Sequence, residues 1–335
     1  DPIGRRFEEL LEAATCPVSR ELFSIQALAL QVRLHQSPDQ PTLAQVRRMG
    51  HAEQEPWIRA MVTELEALWD KECFSLVPIT HALGRQIIPC TWQLKKKMRP
   101  DGSLLKYKAR LCLRGDRMLE GLEEGVPMKD TDGYAPTVDW GTIRMLLTLC
   151  VNYNFKTTQV DFRATFTQRV LARPIFMEVP ELFDRSADFE GKVLKVHKSL
   201  YGHVAAAKMY WELLSGNLTK PKQQGGLGFT KSHNDHCLFL RKDAVFIMWI
   251  DDGILITKDT ATANTFISDL QSCGMDLERE QGHGKLENYL GVQIYKDPKT
   301  GDTILKQVEL IDRIIEAVRL QDCNGKVTPC TEVLT

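Results

Sequence analysis

The stretch Ala244-Val245-Phe246-Ile247-Met248-Trp249-Ile250-Asp251-Asp252-Gly253-Ile254-Leu255-Ile256-Thr257 constrains this chain more than any other. Two apolar runs of β-forming residues flank Asp-Asp-Gly, which predicts a β-hairpin with acids at its tip. Adjacent carboxylates in a confined site repel, and each drives its neighbour towards the protonated form. A divalent cation resolves that conflict, and hard oxygen donors suit Mg²⁺ or Mn²⁺ better than zinc. The competing reading is simpler: Asp-Asp-Gly is good turn chemistry, and such a tip is often only solvated.

A third acid gives the first reading its chemistry. Thr158-Gln159-Val160-Asp161 reads as a short strand ending in a carboxylate. Asp161, Asp251 and Asp252 on neighbouring strand ends make a site for two metal ions. Two ions about 4 Å apart can activate an attacking hydroxyl and stabilise a leaving pyrophosphate. A basic segment stands upstream. Lys95, Lys96, Lys97, Arg99, Lys106, Lys108, Arg110 and Arg114 face only Asp101 between positions 95 and 114. Ile87 to Leu94 reads as a strand, Pro100-Asp101-Gly102 as a turn, and Leu105 to Arg114 alternates apolar and basic residues. The expectation is a hairpin with one cationic face, able to hold a triphosphate or a template backbone. A merely solvated face is the alternative.

Composition narrows the classes. A net charge of −1 over 335 residues offers no global attraction for nucleic acid, so any such binding is local. No apolar run reaches the ~18 residues that span a bilayer, so no membrane role is expected. Nine cysteines, widely spaced and without a CxxC, argue against a disulfide framework or zinc ribbon and for reduced thiols. The first residues lack a signal-peptide core and an initiator Met, as expected for a piece of a longer chain. Ser232-His233-Asn234-Asp235-His236-Cys237 holds zinc-type ligands but has no partner cluster elsewhere. Trp69, Trp92 and Trp140 read as packing residues.

The remaining pattern is α+β. Helices are expected from near Pro56 (Trp57, Met61, Leu65, Leu68), around Ile143 to Cys150, from Ala205 to Leu218, near Ala261 to Cys273, and through Val308, Ile311, Ile315 and Val318. Further strands are expected at Val193 to Val196 and at Tyr289 to Tyr295.

The order of motifs resembles the reverse transcriptase of copia-type LTR retrotransposons, over about residues 40–335. The likeness rests on Tyr107-Lys108-Ala109-Arg110-Leu111, on Gln159-Val160-Asp161-Phe162 with Phe166, and on Lys198-Ser199-Leu200-Tyr201-Gly202. Trp249-Ile250-Asp251-Asp252 and Tyr289-Leu290-Gly291-Val292 complete it. The resemblance implies a right-hand polymerase with an antiparallel palm sheet. Residues 1–50 would be a leader or linker, 51–295 fingers and palm, and 296–335 the start of the thumb or connection. It implies two Mg²⁺ or Mn²⁺ ions held by Asp161, Asp251 and Asp252. Lys108 and Arg110 would approach the triphosphate, Phe162, Phe166, Tyr201 and Gly202 would serve the nucleotide, and Trp249, Leu290 and Gly291 would serve primer and template. Phe166 would exclude a 2′-hydroxyl by bulk, and Lys285 would assist the leaving pyrophosphate. The implied substrates are an RNA template, a DNA primer or RNA/DNA hybrid, and deoxynucleoside triphosphates. The parent polyprotein would carry integrase upstream and ribonuclease H downstream, in cytoplasmic virus-like particles or the nucleus.

This chain departs from the family pattern at four places. Trp249 replaces Tyr, Thr165 replaces Ala, Arg169 replaces Gly, and His203-Val204-Ala205-Ala206-Ala207 replaces a Leu-Lys-Gln-Ala pattern. If position 169 demanded a glycine-only backbone, Arg169 would be costly there. The departures define the alternative: a degenerate remnant that only binds RNA or hybrid duplex. A two-metal nuclease is a third reading.

Overall fold

The computed structural model describes residues 39–99, 103–119, 133–183, 187–279, 288–317 and 321. Residues 1–38 of the expected 1–50 leader, the Pro100-Asp101-Gly102 turn, Lys285 and Val318 lie outside the described residues. Two compact units divide the chain, Asp39–Glu287 and the segment from Asn288 onward.

The first unit opens with a one-turn helix, α1 (Leu43–Val46), closed by a Thr42–Gln45 capping box. The long helix α2 (His51–Asp70) follows. It starts before the expected Pro56 because the Gly50 carbonyl already accepts from Glu53 and Gln54 N–H. Pro56 therefore sits in the second turn, where a missing N–H costs a bond. Burial of Trp57, Met61 and Leu68 on one face offsets that loss.

Next come β1 (Phe74–Pro78), β2 (Ile87–Ile88), β3 (Cys90–Met98), β4 (Leu104–Leu113), α3 (Trp140–Tyr153), β5 (Lys156–Phe162), β6 (Val170–Met177), β7 (Lys192–Lys198) and α4 (Ala206–Thr219). Strands β8 (Thr230–Lys231), β9 (Leu238–Arg241), β10 (Ala244–Trp249) and β11 (Asp252–Thr257), helix α5 (Thr260–Ser272) and β12 (Leu277–Arg279) complete this unit. The strands form a long β3–β4 hairpin, a four-stranded sheet in the order β1-β7-β6-β2, and a six-stranded sheet in the order β12-β5-β11-β10-β9-β8. Every pairing in the six-stranded sheet is antiparallel. Strand β2 pairs with β6 in parallel.

Aromatic contacts lock the six-stranded sheet to its helices. Tyr210 of α4 meets Phe162 of β5 edge-on, Phe162 meets Phe246 of β10, and Phe246 meets Phe266 of α5, with centroids 5.8, 6.5 and 5.1 Å apart. Gly253 is part of this packing. A Cβ there would lie 2.6 Å from the Phe246 ring, so the glycine read as a turn residue is a packing residue inside β11.

The second unit carries β13 (Asn288–Tyr289), β14 (Val292–Lys296), β15 (Thr303–Lys306) and α6 (Val308–Ala317). The single strand expected at Tyr289 to Tyr295 is in fact a hairpin. Leu290 and Gly291 have φ of 52° and 77°, and two consecutive left-handed residues are what a type I′ turn requires.

One close approach joins the end of β4 to the segment before α4. The Leu113 N–H donates to the Tyr201 carbonyl at 2.7 Å. A Cβ on Gly202 (φ 80°) would lie 2.0 Å from the Leu113 carbonyl oxygen, and one on Gly115 would lie 2.1 Å from that of Gly202. Gly202→Ala should therefore destabilise the protein by about 2–4 kcal/mol, combining left-handed strain with a backbone clash. Urea unfolding should show a lower midpoint at unchanged slope; an unchanged midpoint would contradict the close approach.

Candidate active site

The ladder between β5 and β11 sets the acids. Asp161 and Asp252 are direct cross-strand partners, and Asp252 also faces Trp249 across the β10–β11 hairpin. Directly opposed residues have Cα atoms about 4.5–5.5 Å apart and project from the same face. The turn itself is Ile250-Asp251, one residue earlier than the expected Asp-Asp-Gly tip. Ile250 has φ 51°, a conformation a β-branched residue avoids, so the turn holds local strain. The Phe162 N–H donates to the Asp251 carbonyl at 3.0 Å and ties this turn to the end of β5.

A buried phenol reports the same neighbourhood. Tyr210 is 0% exposed, and its hydroxyl has no hydrogen-bond partner among the described residues. Burial holds its pKa well above the ordinary tyrosine value, and the Asp251 and Asp161 carboxylates push it further the same way. Two acids 90 positions apart thus act on one group.

Among the described residues, no group of three or more His, Cys, Asp or Glu side chains is gathered at metal-binding spacing. The backbone places the three acids together; the side chains are not drawn into a closed cluster. The donor set still fits Mg²⁺ or Mn²⁺, because all three are carboxylates at adjoining strand ends. Among the described residues, no further ligand joins His233, Asp235, His236 and Cys237 in such a group.

The cationic face lies on the β3–β4 hairpin. Trp92, Leu94, Ala109 and Leu111 point into the core, and the register places Gln93 opposite Arg110, Lys95 opposite Lys108 and Lys97 opposite Lys106 on the other face. Like charges directly opposed cost stability unless something anionic relieves them. Burial, then Arg110, Lys97 and Lys106, lowers the Lys108 pKa to about 8. Arg110 lies 4.7 Å over the Tyr201 ring, and Phe166 meets that ring edge-on at 5.0 Å. The Arg110 Nε is buried without a hydrogen-bond partner among the described residues. A cleft of about 590 Å³ opens over this face, bounded by residues 40–43 and including Lys95, Lys97, Lys108 and Arg110. Arg114 is not part of this free charge, since it forms a paired contact with Asp116 at 2.8 and 2.7 Å.

Lys108, Arg110, Phe166, Tyr201 and Gly202 are therefore neighbours, and Asp251 is close enough to Tyr201 to raise the phenol's pKa along with burial. Phe162 is different. It is 2% exposed and faces Tyr210 and Phe246, because side chains alternate along β5 and Asp161 takes the open face. The expectation that Phe162 contacts a nucleotide is corrected: its ring is core and its N–H holds the Asp251 turn. Leu290 and Gly291 occupy the hairpin turn of the second unit. Glu64 was missed. Burial raises its pKa, while the Leu111 N–H, Lys108 and Arg110 pull it back down. A carboxylate on the apolar stripe Trp57, Met61, Leu68 of α2 was the available signal.

The family follows from comparison with known proteins. The model of the reverse transcriptase (RNA-dependent DNA polymerase) family matches residues 71–332, and the chain belongs to that family. Its members are nucleotidyltransferases, and the relatives point to the copia type. The chain is 25% identical over 286 residues to the retrovirus-related Pol polyprotein from transposon TNT 1-94 of Nicotiana tabacum, covering 84% of this chain and 20% of that protein. It is 29% identical over 251 residues to the corresponding polyprotein from transposon RE1 of Arabidopsis thaliana, covering 73% and 16%. The chain thus spans a fifth or less of these relatives' length.

The lowered Lys108 pKa sets a pH dependence. Below about 8 the amine is charged and binds an anion; above it the charge is lost unless bound phosphate restores it. Inorganic tripolyphosphate should bind progressively more weakly as pH rises past that value, with proton uptake on binding. Lys108→Arg should flatten the profile. Calorimetry in buffers of different ionisation heat checks this, and constant affinity without proton uptake counts against it.

Proposed function

We propose that this chain is the RNA-directed DNA polymerase portion of a copia-type Pol polyprotein, with fingers, palm and the start of a thumb. The observation that carries the reading is the β5–β11 register, which sets Asp161 opposite Asp252 with Asp251 at the adjoining turn. The cationic β3–β4 face supports it, since phosphoryl transfer depends on positioning and charge stabilisation.

On this reading the three acids hold two Mg²⁺ or Mn²⁺ ions, which when bound supply charge stabilisation and an activated primer hydroxyl. Lys108 and Arg110 hold the triphosphate. Tyr201, braced between Arg110 and Phe166, walls the nucleotide pocket, and Phe166 excludes a 2′-hydroxyl by bulk. Trp249 serves the primer strand, and the family resemblance assigns the Leu290-Gly291 turn of the second unit to primer binding. The substrates are an RNA template, a DNA primer or RNA/DNA hybrid, and deoxynucleoside triphosphates. In the parent polyprotein integrase lies upstream and ribonuclease H downstream, and the protein works in cytoplasmic particles or the nucleus. Among the described residues no helix is long and apolar enough to cross a membrane.

The remnant reading loses one of its supports. Arg169 has φ −103° and ψ 120°, ordinary extended backbone, so the position does not demand glycine.

Primer extension on poly(rA)/oligo(dT) with Mg²⁺ or Mn²⁺ tests the proposal. Asp251→Asn and Asp161→Asn should each slow extension by about a thousandfold or more, a loss of roughly 4 kcal/mol in transition-state stabilisation. Phe166→Ala should increase ribonucleotide incorporation while preserving extension. Duplex binding without any extension by the parent protein would favour the remnant instead.

A further inference from the structure

A side chain completes the edge between β5 and β12. These strands pair Asp161 with Glu278 and Phe162 with Leu277, so the next partners in the same register are Arg163 and Asp276. A hydrogen-bonded antiparallel pair exchanges two bonds. One is present: the Arg163 N–H donates to the Asp276 carbonyl at 2.9 Å. At the place of the reciprocal bond stands the Gln168 carboxamide. Its Oε1 accepts the Asp276 N–H at 3.1 Å, and its Nε2 donates to the Arg163 carbonyl at 2.7 Å and to the Asp276 carbonyl at 2.9 Å. A primary amide has two N–H donors, and both are used. One N–H and two carbonyls as partners also fix which end of the amide is oxygen. Asp276 is anchored from its other side, because its carboxylate meets the Lys71 Nζ at 2.9 Å.

Gln168 closes the segment that carries Phe166. The chain leaves β5 through Ala164 at φ 46° and ψ 42°, and the short 3₁₀ turn Thr165–Gln168 follows. A left-handed alanine costs energy, and a single 3₁₀ turn has little stability of its own. The Thr165 hydroxyl, a departure from the family's Ala, donates to the Phe162 carbonyl at 2.9 Å, and the Thr167 hydroxyl to the Ala164 carbonyl at 2.8 Å. Both of these bonds stay inside the segment, whereas Gln168 ties it to the entry of β12. Phe166 is half-buried and meets Tyr201 edge-on, so its ring stands where this turn puts it.

We propose that Gln168 is a positioning residue for sugar selection: by filling the open rung between β5 and β12 it fixes the turn that aims the Phe166 ring, and so sets how strictly a 2′-hydroxyl is excluded. A misplacement of about 1 Å can change a rate about a hundredfold, so a loosened turn is enough to relax the exclusion. The role rests on the polymerase reading for what Phe166 selects; the bracket itself does not.

The test uses the whole chain and single-nucleotide addition on poly(rA)/oligo(dT), with dUTP and UTP, which differ only at the 2′ position. Gln168→Met keeps the side-chain length and removes all three bonds; the ratio of kcat/KM for dUTP over UTP should fall about tenfold. Phe166→Ala should lower the ratio further, and adding Gln168→Met to it should lower it no more, because one residue acts through the other. An unchanged ratio in Gln168→Met with circular dichroism intact, or full additivity in the double variant, overturns the role. Hydrogen exchange without nucleotide reads the bracket directly. Exchange at Asp276 and across residues 163–168 should rise about tenfold in Gln168→Met. It should rise more in Gln168→Glu, whose carboxylate sets oxygen against two carbonyls. Unchanged exchange in both variants overturns the bracket. A parent protein that fails to extend while exchange rises as expected counts against the polymerase reading alone. An extending parent whose ratio is insensitive to Gln168→Met counts against this role alone.

Discussion

Two strands separated by a long stretch of chain, β5 and β11, have to meet in one register for Asp161 to stand opposite Asp252. A slip of one residue would turn Asp161 inward and Phe162 outward, since strand side chains alternate. The aromatic series Tyr210, Phe162, Phe246, Phe266 blocks that slip from below, and Gly253 allows the Phe246 ring to fill the space beside β11. The acids are thus placed by hydrophobic packing on the far face of their own strands. What looks like an electrostatic site is positioned by apolar contacts, which are strong and close-packed enough to hold like charges at neighbouring positions.

The cationic face shows the same division of labour. Trp92, Leu94, Ala109 and Leu111 commit one side of the β3–β4 hairpin to the core and leave lysines paired with lysines on the other. Glu64, rising from α2 beneath Lys108 and Arg110, tempers the repulsion without cancelling it. Arg110 then spans the gap to Tyr201, and Tyr201 meets Phe166 edge-on, so a cation–ring and a ring–ring contact link the charged hairpin to the turn that follows β5.

Much of this was legible in the residues themselves. The apolar runs around Asp251 and Asp252, the alternation from Leu105 to Arg114 and the helical spacing from Trp57 each predicted an element that is present. The misreadings have local physical causes. Gly253 resembles a turn residue, but a ring occupies its Cβ position. Phe162 stands beside a candidate catalytic acid, yet the period of two puts it on the opposite face. Leu290 in a left-handed turn breaks what reads as one strand. Pro56 resembles a helix start because proline suits the first turn, while the Gly50 carbonyl had already begun the helix. The Gln168 bracket had no sequence signature, because the strand edge it completes begins 108 positions further along the chain and only the sheet topology brings the two together.

The bond from Leu113 to the Tyr201 carbonyl, with Gly115 and Gly202 pressed backbone to backbone, has a mechanical consequence. The root of the β3–β4 arm is welded to the wall of the nucleotide pocket, while its outer end carries a register irregularity between Lys97 and Met98. Such an arm cannot swing as a rigid lever about its base. Turning it about its base would break that bond and part the two glycine backbones, so a hinge at the root is the costly place for any movement of the arm.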